Sequence, residues 1–171
     1  MSPFDASSRS GAGQTILAVD DDPDALKLCR LFLEKAGFSV LAASGSSEAL
    51  KICKNHEGPI HLLVTDLVLP PPEFSFASGE NEFPHVHGHD LAVRALRMRK
   101  DLRVILMSAN IEKELQGYGI RAESLPFIPK PLEAQGLLTL VNQTLQAPPP
   151  TPESLIKESR GGAKGTDEWF D

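Results

Sequence analysis

The stretch Ile60-His61-Leu62-Leu63-Val64-Thr65-Asp66-Leu67-Val68-Leu69-Pro70 is an apolar run that closes on an acid and then on a turn residue. It is a short aliphatic and β-branched run followed by turn residues, the pattern of a β-strand. Three other runs close in the same manner. Ile16-Leu17-Ala18-Val19 leads into Asp20-Asp21-Asp22, Val104-Ile105-Leu106-Met107 into Ser108, and Phe127-Ile128-Pro129 into Lys130. In an open parallel sheet, ligands bind just beyond the carboxyl ends of the strands. Four such ends would bring carboxylates, a hydroxyl and an ammonium to one place.

Helical patterns fill the intervals between these runs. The first opens with Asp22 as N-cap and Pro23 at the first helical position and stops at Gly37. Its apolar positions are Ala25, Leu28, Cys29, Phe32 and Ala36. A strand over Phe38–Ala42 follows, then a helix after Ser44-Gly45 carrying Ala49, Leu50 and Cys53. A third helix begins near Gly88 with Leu91, Ala92, Ala95 and Met98 on one side. The remaining elements are a strand over Arg103–Met107, a short helix over about Ile111–Gln116, a strand over Leu125–Ile128 and a helix over about Leu132–Gln146. Alternation of strands and helices at this pace predicts βαβ units and a parallel sheet. Five repeats predict a (βα)5 doubly wound α/β domain, flavodoxin-like, with strand order 2-1-3-4-5.

The domain is expected over residues 14–146. Residues 1–13 are Ser-, Gly- and Ala-rich without periodicity and read as a disordered leader. From Ala147 the prolines Pro148, Pro149, Pro150 and Pro152 break the last helix, and 147–171 read as a disordered tail. At 171 residues, with 41% hydrophobic and 23% charged residues, the chain has the make-up of one globular domain. The net charge of −6 argues against a nucleic-acid partner, which needs a basic face. No apolar run approaches the roughly 18 residues that span a bilayer. The start Met1-Ser2-Pro3-Phe4-Asp5 has no basic and apolar secretion signal, so the expected compartment is the cytoplasm, without membrane association. Cys29 and Cys53 both fall inside helices and read as small core residues.

The motifs Ile16-Leu17-Ala18-Val19-Asp20-Asp21-Asp22-Pro23, Leu62-Leu63-Val64-Thr65-Asp66-Leu67-Val68-Leu69-Pro70, Val104-Ile105-Leu106-Met107-Ser108-Ala109 and Phe127-Ile128-Pro129-Lys130-Pro131 together resemble a response-regulator receiver domain. Receivers are the phosphoacceptor half of two-component signalling. The similarity runs from about Thr15 to Gln146. It implies that Asp66 accepts the phosphoryl group, and that Asp20, Asp21, Asp66 and the Val68 carbonyl hold Mg²⁺. It implies too that Lys130 contacts a phosphoryl oxygen, that Ser108 donates a hydrogen bond to another, and that Phe127 is the aromatic switch residue. The Lys130-Pro131 bond is usually cis in the family. Val68 and Asn110 occupy the positions that tune the lifetime of the phosphorylated state. The chemistry is coherent, because phosphoryl transfer is mainly positioning plus charge neutralisation, and hard oxygen ligands suit Mg²⁺.

The sequence departs from the family after Asp66. An insertion of about 71–87, containing Phe74, Phe76 and Phe83, lengthens the loop before the third helix. Loops of this length are functional or disordered. His85, His87 and His89 alternate along it and could offer a transition-metal site or simply line a solvated loop. Arg94, Arg97, Arg99, Lys100 and Arg103 form a basic cluster that reads as a solvated helix face or a partner patch. Trp169-Phe170, flanked by acids, reads as a docking motif or as part of the disordered tail.

The expected function is that of a stand-alone response regulator, similar to chemotaxis-type and hybrid-kinase receivers. It would take a phosphoryl group from a sensor histidine kinase or a histidine phosphotransfer protein and signal through its own surface to a downstream protein. It is not expected to be an enzyme in the ordinary sense. One alternative is a haloacid-dehalogenase-type phosphatase using Asp20 and Asp22, whose further acids should follow the lysine. Here Asp66 precedes Ser108 and only Glu133 and the tail acids follow Lys130. The other alternative is a degenerate receiver acting as a binding module, against which the complete acid, hydroxyl and lysine set argues.

Overall fold

The structure is a computed structural model that describes residues 13–70, 85–118 and 125–155. Its elements in chain order are β1 (Thr15–Val19), α1 (Pro23–Lys35), β2 (Ser39–Ala43), α2 (Ser46–Asn55), β3 (Leu62–Asp66), α3 (Gly88–Met98), β4 (Arg103–Ser108), α4 (Ile111–Tyr118), β5 (Phe127–Pro129) and α5 (Ala134–Gln146). The five strands form one sheet in the order β2-β1-β3-β4-β5, every neighbouring pair parallel. This is the doubly wound topology expected from the alternation.

Side-chain alternation along each strand divides the interior into two cores. Leu17, Val19 and Leu63 join the core that also holds Ala49 and Leu50 of α2 and Leu91 and Leu96 of α3. Ile16, Ala18, Leu62 and Val64 join the other core, with Cys29 and Leu33 of α1 and Leu137 and Val141 of α5. All five residues of β3 are buried, so the central strand carries helices on both faces. Burial pushes the Cys29 thiol up to about 12, with the Asp20 charge adding to it, and the Cys53 thiol up to about 11. Both cysteines are therefore packing residues.

Some expected boundaries and faces shift. β2 starts at Ser39 because Phe38 turns into the core, and α5 starts at Ala134 rather than Leu132. β5 runs over Phe127–Pro129, while Leu125 is a buried residue ahead of it. Leu28 and Met98, expected on apolar helix stripes, are exposed by 37% and 39%, and Leu33 fills the α1 core position instead. Residues 147–155, assigned from sequence to a disordered tail, are placed against the domain. A helical turn covers 152–155, and Leu155 is 1% exposed within the α2/α3 core. Proline broke the helix but did not end the packing, because one leucine suffices to anchor a short return. Residues 1–12, 71–84 and 156–171, with the Phe74/Phe76/Phe83 and Trp169-Phe170 readings, lie outside the described residues.

The basic cluster is partly structural. Arg99 spends its guanidinium on three backbone carbonyls, donating to Cys53 at 2.9 Å, His56 at 2.7 Å and Gly58 at 2.8 Å. These are orphan acceptors around the end of α2, where a cation also meets the negative end of the helix dipole. Arg103 donates in the same way to the carbonyl of Ala147 at 2.7 Å. Arg99→Ala is expected to cost about 2–3 kcal/mol, because several charge-assisted bonds are lost together. Arg99→Lys should restore only part of it, since an ammonium lacks the planar fork. Urea midpoints of the two variants check this; equal midpoints for Arg99→Ala and parent would contradict it.

Candidate functional site

Strand register brings the chemistry together. Val19 pairs with Thr65, Asp66 with Met107, and Ser108 with Pro129, so four strands end at one level. The next residue on each is polar or already part of the set: Asp20 after β1, Asp66 closing β3, Ser108 closing β4 and Lys130 after β5. Loop hydrogen bonds lock these ends. Asp20 N donates to Ala43 O at 3.2 Å, Leu67 N to Met107 O at 2.8 Å, and Lys130 N to Ser108 O at 2.9 Å. The Lys130-Pro131 peptide is cis.

Lys130 Nζ donates to Asp20 Oδ2 at 2.8 Å and to Asp66 Oδ2 at 2.9 Å. Asp20 is 1% exposed and Asp66 8%. Two buried carboxylates thus share one ammonium. Asp66 Oδ1 also accepts from Val68 N at 3.3 Å, and Asp20 Oδ1 from Asp22 N at 3.0 Å. Burial is the largest influence on the Asp66 carboxyl and pushes it up to about 6, although Lys130 and the Val68 N–H pull the other way. Burial opposes the charge of Lys130, but its bonds to Asp20 and Asp66 outweigh it and hold the ammonium above the usual lysine value.

Asp21 is exposed beside the pair. Carboxylate oxygens of Asp20, Asp21 and Asp66 lie within 4.8 Å of one another, the group among the described residues that could hold a metal ion. Three hard oxygen donors facing one point fit Mg²⁺ better than a softer ion. Asp22 stands apart, because its carboxylate accepts from Asp24 N at 3.0 Å and caps α1. The dehalogenase-type reading draws on Asp22 beside Asp20, whereas here the Asp22 carboxylate serves the helix start.

Ser108 is fully buried but does not point its proton into the carboxylate group. Its hydroxyl donates to Glu114 Oε1 and accepts from Asn110 N at 3.2 Å. Glu114 was not among the expected site residues. It belongs to the first turn of α4 with Glu112, and nothing local in the sequence shows which of the two acids turns inward. Asn110 Oδ1 accepts from Lys113 N at 3.3 Å, so this amide oxygen caps α4. Phe127 is partly buried and packs against the α2/α3 core.

The insertion is closed at its base. Leu69 N donates to His87 Nδ1 at 3.0 Å, Val86 N to Ser46 Oγ at 2.8 Å, and Gly88 N to Leu67 O at 2.9 Å. His85 and His87 stack edge to face with ring centroids 5.7 Å apart. The three histidines do not form a three-ligand metal site among the described residues, where only the aspartate group qualifies. His87 instead ties the returning chain to the end of β3.

Comparison with known proteins agrees with this geometry. Residues 16–73 match the family model of the response regulator receiver domain. A response regulator receiver protein from Sinorhizobium medicae WSM419 superposes with a TM-score of 0.62 at 25% identity, covering 78% of this chain and 95% of that one. The chain is thus similar to response-regulator receiver domains, in sequence over residues 16–73 and in fold over most of its length. The receiver domain of the hybrid histidine kinase CckA is similar as well, with a TM-score of 0.58 at 26% identity over 77% of this chain and 99% of that one. The DNA-binding transcriptional regulator NtrC of Rhizobium meliloti (strain 1021) is 28% identical over 150 residues. That match covers 88% of this chain but 28% of the relative's length. Among the described residues, no helix is long and apolar enough to cross a membrane.

Proposed function

We propose that this receiver accepts a phosphoryl group on Asp66 from the phosphohistidine of a sensor kinase or phosphotransfer protein. An Asp66 carboxylate oxygen attacks phosphorus, the P–N bond breaks, and the leaving imidazole recovers a proton. The product is an acyl phosphate on Asp66. The observation that carries this reading is the single ammonium of Lys130 shared between the buried Asp20 and Asp66 carboxylates. Such a site is overloaded with negative charge and holds a mobile cation next to its nucleophile. Asp21, Asp66 and the Val68 carbonyl would ligate Mg²⁺, with Asp20 contributing directly or through water. When bound, the ion supplies the charge that lets a phosphoryl anion approach. Lys130 is then released from carboxylate pairing to meet a phosphoryl oxygen. Phe127 is the switch residue, Val68 and Asn110 set the lifetime, and a downstream protein reads the altered surface.

Acetyl phosphate with Mg²⁺ is expected to add one phosphoryl mass, mapped to Asp66. An adduct mapped elsewhere, or none, would sink the proposal. Asp21→Ala is expected to weaken Mg²⁺ binding by about tenfold or more, at least the loss caused by outer partners of metal sites, and to abolish the adduct. Lys130→Ala should bind Mg²⁺ as well as the parent or better, because a competing cation is gone, yet lose phosphotransfer. Titration calorimetry with Mg²⁺ and intact-mass measurement separate the two. Equal Mg²⁺ affinity in Asp21→Ala and the parent would show the ligand set to be wrong.

A further inference from the structure

The one proton of the Ser108 hydroxyl is committed to Glu114. A serine hydroxyl carries a single donor, so it cannot serve Glu114 and a phosphoryl oxygen at once. Glu114 is well placed to keep it. Its backbone N donates to Asn110 O at 2.9 Å, and Asn110 in turn caps the helix through Lys113 N and donates its own N–H to Ser108 Oγ. Carboxylate, hydroxyl and first helical turn thus form one closed hydrogen-bonded unit that joins the end of β4 to α4.

We propose that Glu114 is a positioning residue that holds the Ser108 hydroxyl away from the acceptor until a phosphoryl group displaces it. The inference rests on Asp66 being the phosphoacceptor. An O–H bond to a carboxylate is roughly twice as strong as one to a neutral oxygen, so the hold is a real competitor for the phosphoryl group. Arrival of that group sets two anions against one proton. The Ser108 hydroxyl keeps its proton and turns its hydrogen bond to the phosphoryl oxygen, Glu114 loses its partner, and the first turn of α4 is freed from β4. Glu114 therefore sets how costly the activated arrangement is and transmits its formation to α4.

The test uses beryllofluoride, a phosphoryl mimic, at saturating Mg²⁺ on the full chain. An arrangement that is only fractionally competent lowers apparent affinity by that fraction. Glu114→Gln keeps an acceptor oxygen of the same shape but removes the charge, and is expected to tighten apparent beryllofluoride affinity by about fivefold. Glu114→Ala removes the acceptor and is expected to tighten it by about tenfold or more. Neither change should alter Mg²⁺ affinity. In a Ser108→Ala background both gains should vanish, because no hydroxyl remains to be held.

Unchanged affinity in both Glu114 variants overturns the proposal. So does a gain that persists with Ser108→Ala, which would mean that the Glu114 charge acts through space. A parent that binds Mg²⁺ but no beryllofluoride removes the phosphoacceptor reading itself, an outcome visible before any Glu114 variant is compared.

Discussion

Asp66→Asn is expected to lose the phosphoryl adduct completely and, in the same protein, to gain stability at neutral pH. The loss follows from the nucleophile, since an amide oxygen in this place neither attacks phosphorus nor neutralises Mg²⁺. The gain follows from burial. The carboxyl is pushed up to about 6 from an ordinary value of 3.8, chiefly by desolvation. Folding therefore favours its neutral form. Stability from this group is fully present below the unfolded value and is lost as pH rises through about 6. Each pKa unit corresponds to about 1.4 kcal/mol, so ionised Asp66 costs the metal-free fold on the order of 2–3 kcal/mol. Asparagine removes that cost while its oxygen can still accept from Lys130, which keeps Asp20 as partner.

Thermal unfolding in a chelator checks both signs. The parent should unfold at a lower temperature near pH 7.5 than near pH 5, by several degrees for about 2 kcal/mol. Asp66→Asn should flatten that difference. Saturating Mg²⁺ should raise the parent's midpoint at the higher pH and do far less for Asp66→Asn; a ligand at about 100 times its dissociation constant adds roughly 2.7 kcal/mol. An Asp66→Asn protein less stable than the parent at pH 7.5 without Mg²⁺ would mean that Lys130 pairing, rather than desolvation, dominates the site. Function would then be held at no cost to the fold. The expected result is the opposite: Asp66 is a destabilising residue, and cation binding offsets it.

The sequence made the fold legible because the evidence for it is periodic. Four apolar runs and their intervening helical stripes carry a repeat that local reading detects, and five such repeats pointed to the flavodoxin-like order. Asp20, Asp66 and Lys130 were legible for a related reason, since each sits at a position defined by the end of a run. Glu114, Arg99 and Leu155 were not. Glu114 reaches Ser108 only through the local turn of α4, Arg99 finds carbonyls more than forty residues earlier in the chain, and Leu155 packs beyond a proline-rich break. Each of these depends on which of several equivalent side chains happens to face inward, and no period encodes that. Met98 shows the reverse error: it has the right spacing for the apolar stripe of α3, but the helix ends there and leaves it outside.

Gly88→Ala is expected to be strongly damaging, and it acts on Asp66 from behind. Gly88 opens α3 on the far side of the insertion, yet its backbone lies directly against that of Asp66. A Cβ there would sit 2.2 Å from Asp66 O, 3.0 Å from Asp66 C and 3.0 Å from Leu67 Cα. All three obstacles are backbone atoms, so no rotamer change relieves them. The amide of Gly88 is also bonded to Leu67 O at 2.9 Å, which prevents the helix start from simply backing away. Either the end of β3 or the start of α3 must shift. Overpacking of this kind costs about 1–3 kcal/mol and occasionally more, and with backbone on both sides the upper end is expected. Because the displaced atoms belong to Asp66 itself, its carboxylate moves relative to Asp20, Asp21 and Lys130. A misplacement of roughly 1 Å can lower a reaction about a hundredfold, so phosphorylation should fall much further than stability. Gly117→Ala and Gly136→Ala are the controls, since an added Cβ meets nothing within 4 Å at either. In helices those changes should be neutral or stabilising by about 0.5–1 kcal/mol. The decisive measurement is the initial rate of acetyl-phosphate labelling at a temperature where all three variants are folded by circular dichroism. A Gly88→Ala protein that labels at the parental rate would show that Asp66 tolerates the shift, and that the close approach of α3 serves packing alone. Loss of labelling in the folded variant would mean that the start of α3 is what holds the nucleophile in line.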